Sequence, residues 1–278
     1  MALTMLRVPV TVRRGEGKDR AWYFLGVNGS EQKVPRVTTV TETLDKSYAL
    51  MAWNTRVVTE NVRAQLLDYV DDPLFGGQRT IERRQVDQII EAARKRPQQV
   101  KQEAADFGTA LHAAFADFLN TGRRPSTPEL LPAFDNFLAY LATSELEVQF
   151  VERTVYSLKH GFAGTTDVVA YQKGKRIVGD WKSSNSIYES HILQVAGYAV
   201  ADEEMTGEPC NEALVIRFNK ERPADPTKAF EVVRVGETAA SGKHLGEAKA
   251  AFLSLLEVWR WKKGWTAAEQ RNGRHRGG

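Results

Sequence analysis

The chain has 278 residues, 42% of them hydrophobic and 26% charged, enough to bury a core without a disulfide or a structural metal. Lys and Arg outnumber Asp and Glu by 38 to 35, a mild excess that permits a nucleic-acid partner without demanding one. A single cysteine, Cys210, excludes an intrachain disulfide and any four-cysteine zinc or iron–sulfur site made by one chain, and it fits a reducing cytoplasm.

The opening MALTMLRVPVTVRRGEG meets charges too soon after a short apolar run to be a secretory signal. No window approaches the ~18 consecutive apolar residues of a membrane span, so a soluble chain without membrane contact is expected. Residues 6–27 and 33–40 alternate in part around Asn28–Gly29–Ser30 and predict short strands in a small antiparallel unit. From Thr41 to Asn120 the pattern is helical. Ala49–Tyr69 carries Val58, Val62 and Leu66 at i, i+4, i+8, and Ile81–Lys95 is a second helix. Asp72–Gly77, with its proline and two glycines, separates them, and Pro97 fits the first turn of a third helix over 98–120. Pro128–Thr143 is a further amphipathic segment.

After Ser144 the period changes to that of strands. Val148–Leu158, Ala163–Gln172 and Arg176–Ser183, separated by His160–Gly161 and Lys173–Gly174, predict a three-stranded antiparallel meander. A helix over 188–204, strands at 212–218 and 230–235, and a last helix over 239–261 follow. The resulting organisation is residues 1–144, small strands plus a helical region; 145–262, a mixed β-sheet core flanked by helices; and 263–278, a basic tail.

Within GTTDVVA, Asp167 interrupts an apolar strand, and GDWKSS then places Asp180 and Lys182 at i and i+2. Side chains alternate along a strand, so Asp180 and Lys182 project to one face and Trp181 to the other. If the two strands pair through Lys173–Gly174, Asp167 and Asp180 become neighbours across the ladder. Adjacent carboxylates in a β core are costly unless a cation neutralises them. Mg²⁺ suits such a site, since it takes a few carboxylates, a carbonyl and several waters. An isolated D-x-K is far more often a solvated surface ion pair.

The ordered set GTALH ending at His112, Glu152, G-T-T-D ending at Asp167, D-W-K at 180–182, and Q-x-x-x-Y at Gln194 and Tyr198 resembles the RecB-like branch of the PD-(D/E)XK nuclease superfamily. The segment VPRVTTVTETLDK, followed by Trp53, is similar to the opening of phage-type exonucleases of that branch, with Arg36 and Asn54 departing from the pattern. The resemblance implies a restriction-endonuclease-like α/β fold and a DNA exonuclease using Mg²⁺, or alternatively Mn²⁺. It implies His112, Asp167, Asp180 and the Trp181 carbonyl as metal ligands and Lys182 as the catalytic lysine. Gln194 and Tyr198 would face the active site and the DNA backbone. It leaves Glu152 and Asp117 as additional candidates, the latter weakened because the helix carries Ala116 where relatives carry an acid. DNA is the implied partner, a phage strand-annealing protein a further one, in the cytoplasm of a bacterial host. Iron–sulfur staples of some relatives are ruled out by Cys210 standing alone, and no G-x-x-x-x-G-K-[ST] run signals a helicase motor.

Trp261, Lys262, Lys263 and Trp265 mix charge with aromatic faces in a way that suits phosphates and unpaired bases, although a solvated helix end reads the same way. Two other functions share the core: an endonuclease, and a catalytically silent DNA-binding accessory protein.

Overall fold

The computed structural model describes residues 9–44, 47–70, 81–236 and 244–264. The chain divides into two compact units, Asp45–Ala110 on the one hand and Met1–Leu44 with Leu111–Gly278 on the other.

The smaller unit consists of α2 (Ser47–Val70) and the first part of α3 (Arg83–Thr121). Pro97 lies inside α3 instead of opening a separate helix, contrary to the expectation from sequence. A mid-helix proline costs roughly 3 kcal/mol in lost hydrogen bonding and clash. Here the flanking Ala, Arg, Lys, Gln and Glu are strong helix formers, and the amphipathic stripe buries Ile89 and Ala93 before the proline and Leu111 and Phe115 after it. On α2 the expected apolar stripe is shallow: Val58 and Val62 are half-buried and Leu66 is exposed.

In the larger unit, β1 (Val10–Arg14), β2 (Trp22–Val27) and β3 (Ser30–Pro35) form a small antiparallel sheet. Asn28 and Gly29 both have positive φ, the backbone of a two-residue hairpin turn that matches strand twist. The strand expected to reach residue 40 stops at Pro35, whose nitrogen has no proton for the ladder. The chain turns into α1 (Val37–Thr41), a helix of β-branched residues. Their weak helix propensity is offset by complete burial of Val37 and Val40.

The main sheet has order β4 (Glu147–Ser157), β5 (Phe162–Gln172), β6 (Lys175–Lys182), β7 (Glu212–Phe218), β8 (Phe230–Gly236). The first three strands are the antiparallel meander expected from sequence, with Lys173 and Gly174 at positive φ in the β5–β6 turn. Helix α5 (Glu189–Thr206) carries the chain over the sheet, so β7 runs parallel to β6 before β8 returns antiparallel. One face packs α4 (Leu131–Ser144) and the end of α3 through Phe115, Phe137, Trp181 and Phe218. The other face lies under α1, α5 and α6 (Leu245–Lys262), with Val155, Val169, Val178, Val215 and Phe252 in its core. Gly197 lets α5 and α6 approach: a Cβ there would meet the Phe252 ring at 2.8 Å. This is the mixed α/β core flanked by helices that the sequence predicts. Among the described residues no helix is long and apolar enough to cross a membrane.

Candidate active site

The β5–β6 ladder runs from Gln172 opposite Lys175 to Val168 opposite Gly179 and stops there. Side chains take over from the main chain beyond that point. Asp167 Oδ2 accepts the Trp181 N–H at 2.6 Å, and Thr166 Oγ1 donates to the Gly179 carbonyl at 2.9 Å. Asp167 shares a face with Val169, and Asp180 with Val178, two residues of the core beneath α5. Both carboxylates therefore project to the α5 side, while Trp181 points the opposite way, 5.8 Å from Phe137 between ring centroids.

Asp180 is buried, and its two oxygens have different surroundings. Oδ1 accepts from Gln194 Nε2 at 2.8 Å. Oδ2 lies 2.5 Å from Lys182 Nζ, an ion pair, yet makes no aligned hydrogen bond. The Gln194 carbonyl oxygen accepts from Lys182 Nζ at 3.1 Å, and its amide nitrogen also donates to the Tyr198 hydroxyl at 2.8 Å. These contacts fix the orientation of the amide, because the flipped form would set NH₂ against ammonium and carbonyl against carboxylate. Gln194 and Tyr198 sit one turn apart on α5, as Q-x-x-x-Y spacing requires. Both are buried, with the polar contacts above directed to Asp180, Lys182 and each other. Both therefore face the acid and the lysine of the cluster. Burial beside Asp180 pushes the Tyr198 phenol well above its ordinary range, so it stays protonated. Its ring occupies space that only Gly164 leaves open, since a Cβ there would lie 2.5 Å from the Tyr198 ring.

On the other side of Asp167, His112 Nδ1 is 3.1 Å from Asp167 Oδ1. Ligand atoms of His112, Glu152 and Asp167 all lie within 4.8 Å of one another. Glu152 falls opposite Asp167 on β4, between the paired positions Val151–Val168 and Arg153–Thr166. Its φ is +50°, a left-handed conformation that a glutamate within a strand rarely adopts.

The electrostatics are those of an acidic cluster short of positive charge. Burial, with the charge of Asp167 adding to it, raises the Asp180 carboxyl from 3.8 to about 6 against the opposing pull of Lys182. Partial burial and Asp167 likewise push Glu152 to about 7. Burial disfavours charge on His112, but Asp167, with help from Asp180, more than offsets it and raises the imidazole to about 9. At neutral pH His112 and Lys182 are thus the cations that neutralise the aspartates. A divalent metal fits the donor set of His112, Glu152 and Asp167, two hard carboxylates and an imidazole, while Asp180 Oδ2, buried and paired with Lys182, makes no hydrogen bond among the described residues.

Glu152→Asn is expected to raise the melting free energy by about 1 kcal/mol, because asparagine tolerates positive φ and removes a carboxylate from the cluster. The same change should lower activity. A melting curve without stabilisation would show that the backbone there is not strained.

Asp117 lies apart from this cluster; its carboxylate is held by Arg123 at 2.9 Å and by Thr121 near the end of α3. Trp261 is 82% exposed, and Lys262 and Lys263 line a cavity of about 300 Å³ with Thr39, Glu42, Thr43 and Trp259. Trp265 falls outside the described residues. The sequence reading missed Gly164 and Thr166. Both sit inside the G-T-T-D run, and a glycine within an otherwise apolar strand is itself a sign of close approach by another group.

No family model and no curated protein matches the chain. Among solved structures, it is similar to an alkaline exonuclease, LHK-Exo, from Laribacter hongkongensis, at 13% identity and a TM-score of 0.35, over 82% of this chain and 91% of that one. A structure of LHK-Exo in complex with dAMP is matched at 14% identity and a TM-score of 0.29, over 56% of this chain and 83% of that one. Superpositions this loose carry no weight for function, which has to be argued from the side chains.

Proposed function

We propose that this protein is a divalent-metal-dependent deoxyribonuclease, an exonuclease of the phage type, with its catalytic core within residues 145–262. One observation supports the reading above the others: Asp167 and Asp180 face α5 from neighbouring strands, with the Lys182 ammonium 2.5 Å from Asp180. A solvated surface ion pair, the ordinary origin of D-x-K, would not be buried, nor tied to a buried glutamine.

His112, Asp167, Asp180 and the Trp181 carbonyl would hold the metal, and Glu152, with a carboxylate oxygen within 4.8 Å of the ligand atoms of His112 and Asp167, would join them. An N–H and a C=O of one residue leave a strand on the same edge, so the Trp181 carbonyl faces the side from which Asp167 reaches its N–H. A bound Mg²⁺, or Mn²⁺, supplies Lewis acidity to the scissile phosphate and lowers the pKa of a water. Lys182 provides positive charge where the phosphoryl oxygens gain negative charge, and orients the attacking water. Gln194 would keep that ammonium aimed by accepting a hydrogen bond from it, and Tyr198, accepting from the amide nitrogen, would fix the glutamine in turn. His112 would have to be neutral to ligate, so binding of a metal near neutral pH would release a proton.

Incubating the protein with end-labelled linear DNA and with closed circular DNA, with and without Mg²⁺, tests the proposal. Metal-dependent loss of the linear substrate from its ends, with circles left intact, is the expected result. Cutting of circles would move the reading to an endonuclease on the same core, and no cleavage under any metal would leave a DNA-binding accessory protein. The phage-type likeness also implies a strand-annealing partner in a bacterial cytoplasm.

A further inference from the structure

Lys182 has a neighbour that the sequence motifs did not single out. Strands β6 and β7 are parallel, and Lys182 is in register with Arg217. Registered residues of adjacent strands project to the same face, and the pair two residues earlier, Asp180 with Val215, lies on the α5 side. Arg217 therefore stands one strand spacing, about 4.8 Å, from the lysine on the active-site face. The two side chains are comparably open to solvent, 17% for Lys182 and 20% for Arg217. The guanidinium is half committed. Its Nε donates to Glu231 at 3.0 Å, while the two terminal nitrogens carry no hydrogen bond to described residues.

A fork of two free N–H-bearing nitrogens matches the oxygens of a phosphate, and Arg recognises such groups by two bonds where Lys offers a point charge. We infer that Arg217 forms a second phosphate subsite beside the reacting one and grips the neighbouring phosphate of a polynucleotide strand. The subsite makes a chain with at least one flanking phosphate, and not an isolated phosphodiester, the substrate of the enzyme proposed above, on which this inference rests. Glu231 occupies one side of the guanidinium and competes with the phosphate for it.

The test is binding of a fluorescent single-stranded oligonucleotide without divalent metal, so that the strand stays intact. Its linkages are made uncharged methylphosphonates one at a time. In the wild-type protein one flanking replacement should weaken binding by roughly tenfold, the worth of a charge-assisted hydrogen bond. Arg217→Ala should bind the unmodified strand correspondingly more weakly and be indifferent to that same replacement, with the slope of log affinity against log salt reduced by about one. Arg217→Lys should recover the salt slope more than the affinity. Glu231→Gln should bind more tightly than wild type, a direction that loss of structure cannot produce. If Arg217→Ala and wild type respond equally at every linkage, the subsite does not exist, whatever becomes of the nuclease. If the wild-type protein binds no DNA without metal, the subsite fails, while the proposed function stands or falls separately on the Mg²⁺-dependent digestion.

Discussion

Lys182→Ala is expected to lower the rate of DNA degradation at saturating Mg²⁺ by about 10²- to 10³-fold, the usual loss when one preorganised donor to a developing oxyanion is removed. The effect should fall on kcat more than on KM, because the ammonium acts where charge appears in the transition state. Structural consequences are distinguishable from catalytic ones. Removing the ammonium leaves Asp180 Oδ2 buried without its cation and the Gln194 carbonyl without its donor. The metal-free variant should therefore melt earlier, and Mg²⁺ should restore more stability to it than to wild type. Near-normal kcat in a folded variant would end the assignment of Lys182 to catalysis.

Metal-free protein should lose stability steadily as pH rises through the acid and neutral range, and the stabilisation conferred by Mg²⁺ should grow over the same interval. In the folded chain Asp180 titrates at about 6 instead of 3.8, and His112 at about 9 instead of 6.5. Both folded-state values lie above the unfolded ones, so the folded protein binds more protons in each interval and rising pH favours unfolding. For Asp180 the loss runs from about pH 4 to about 6, where a buried carboxyl must ionise. For His112 it runs from about 6.5 to about 9, where the imidazolium that neutralises Asp167 disappears. Glu152, raised to about 7, acts in the same direction between them, weakened by its exposure. A cation in the cluster makes the ionised carboxylates and neutral imidazole the favoured forms, which reverses the dependence. Melting temperatures from pH 4 to 9, with and without Mg²⁺, check this; a metal increment that does not change with pH would contradict it.

How much of this was legible in the sequence depends on how local each determinant is. The β4–β5–β6 meander was readable because its signals are local: alternation along the strands, and Lys173–Gly174 in the turn. The same alternation put Asp180 and Lys182 on one face. Pro97 misled because a local rule was overridden by helix formers and burial on both sides of it. Residues 36–40 misled in the same manner, a β-rich stretch made helical by what Val37 and Val40 bury. The family resemblance implied a place at the site for Gln194 and Tyr198 but not the contacts they make there. Those contacts depend on which groups α5 meets after crossing the sheet, a long-range fact. Arg217 left no motif at all, because its nearness to Lys182 comes from parallel pairing of strands that are far apart in the chain.

The opposed directions of Trp181 and its two flanking residues have a consequence for how the site is kept. A slip of β6 by one position against its neighbours would drive an indole into the carboxylates and strand an aspartate and a lysine among Phe137 and Phe218. Each error is prohibitive by itself, and neither can occur without the other. The facing of Asp180 and Lys182 is thus locked by an oily wedge on the reverse side of the sheet, and a change at Trp181 would loosen the aim of both side chains.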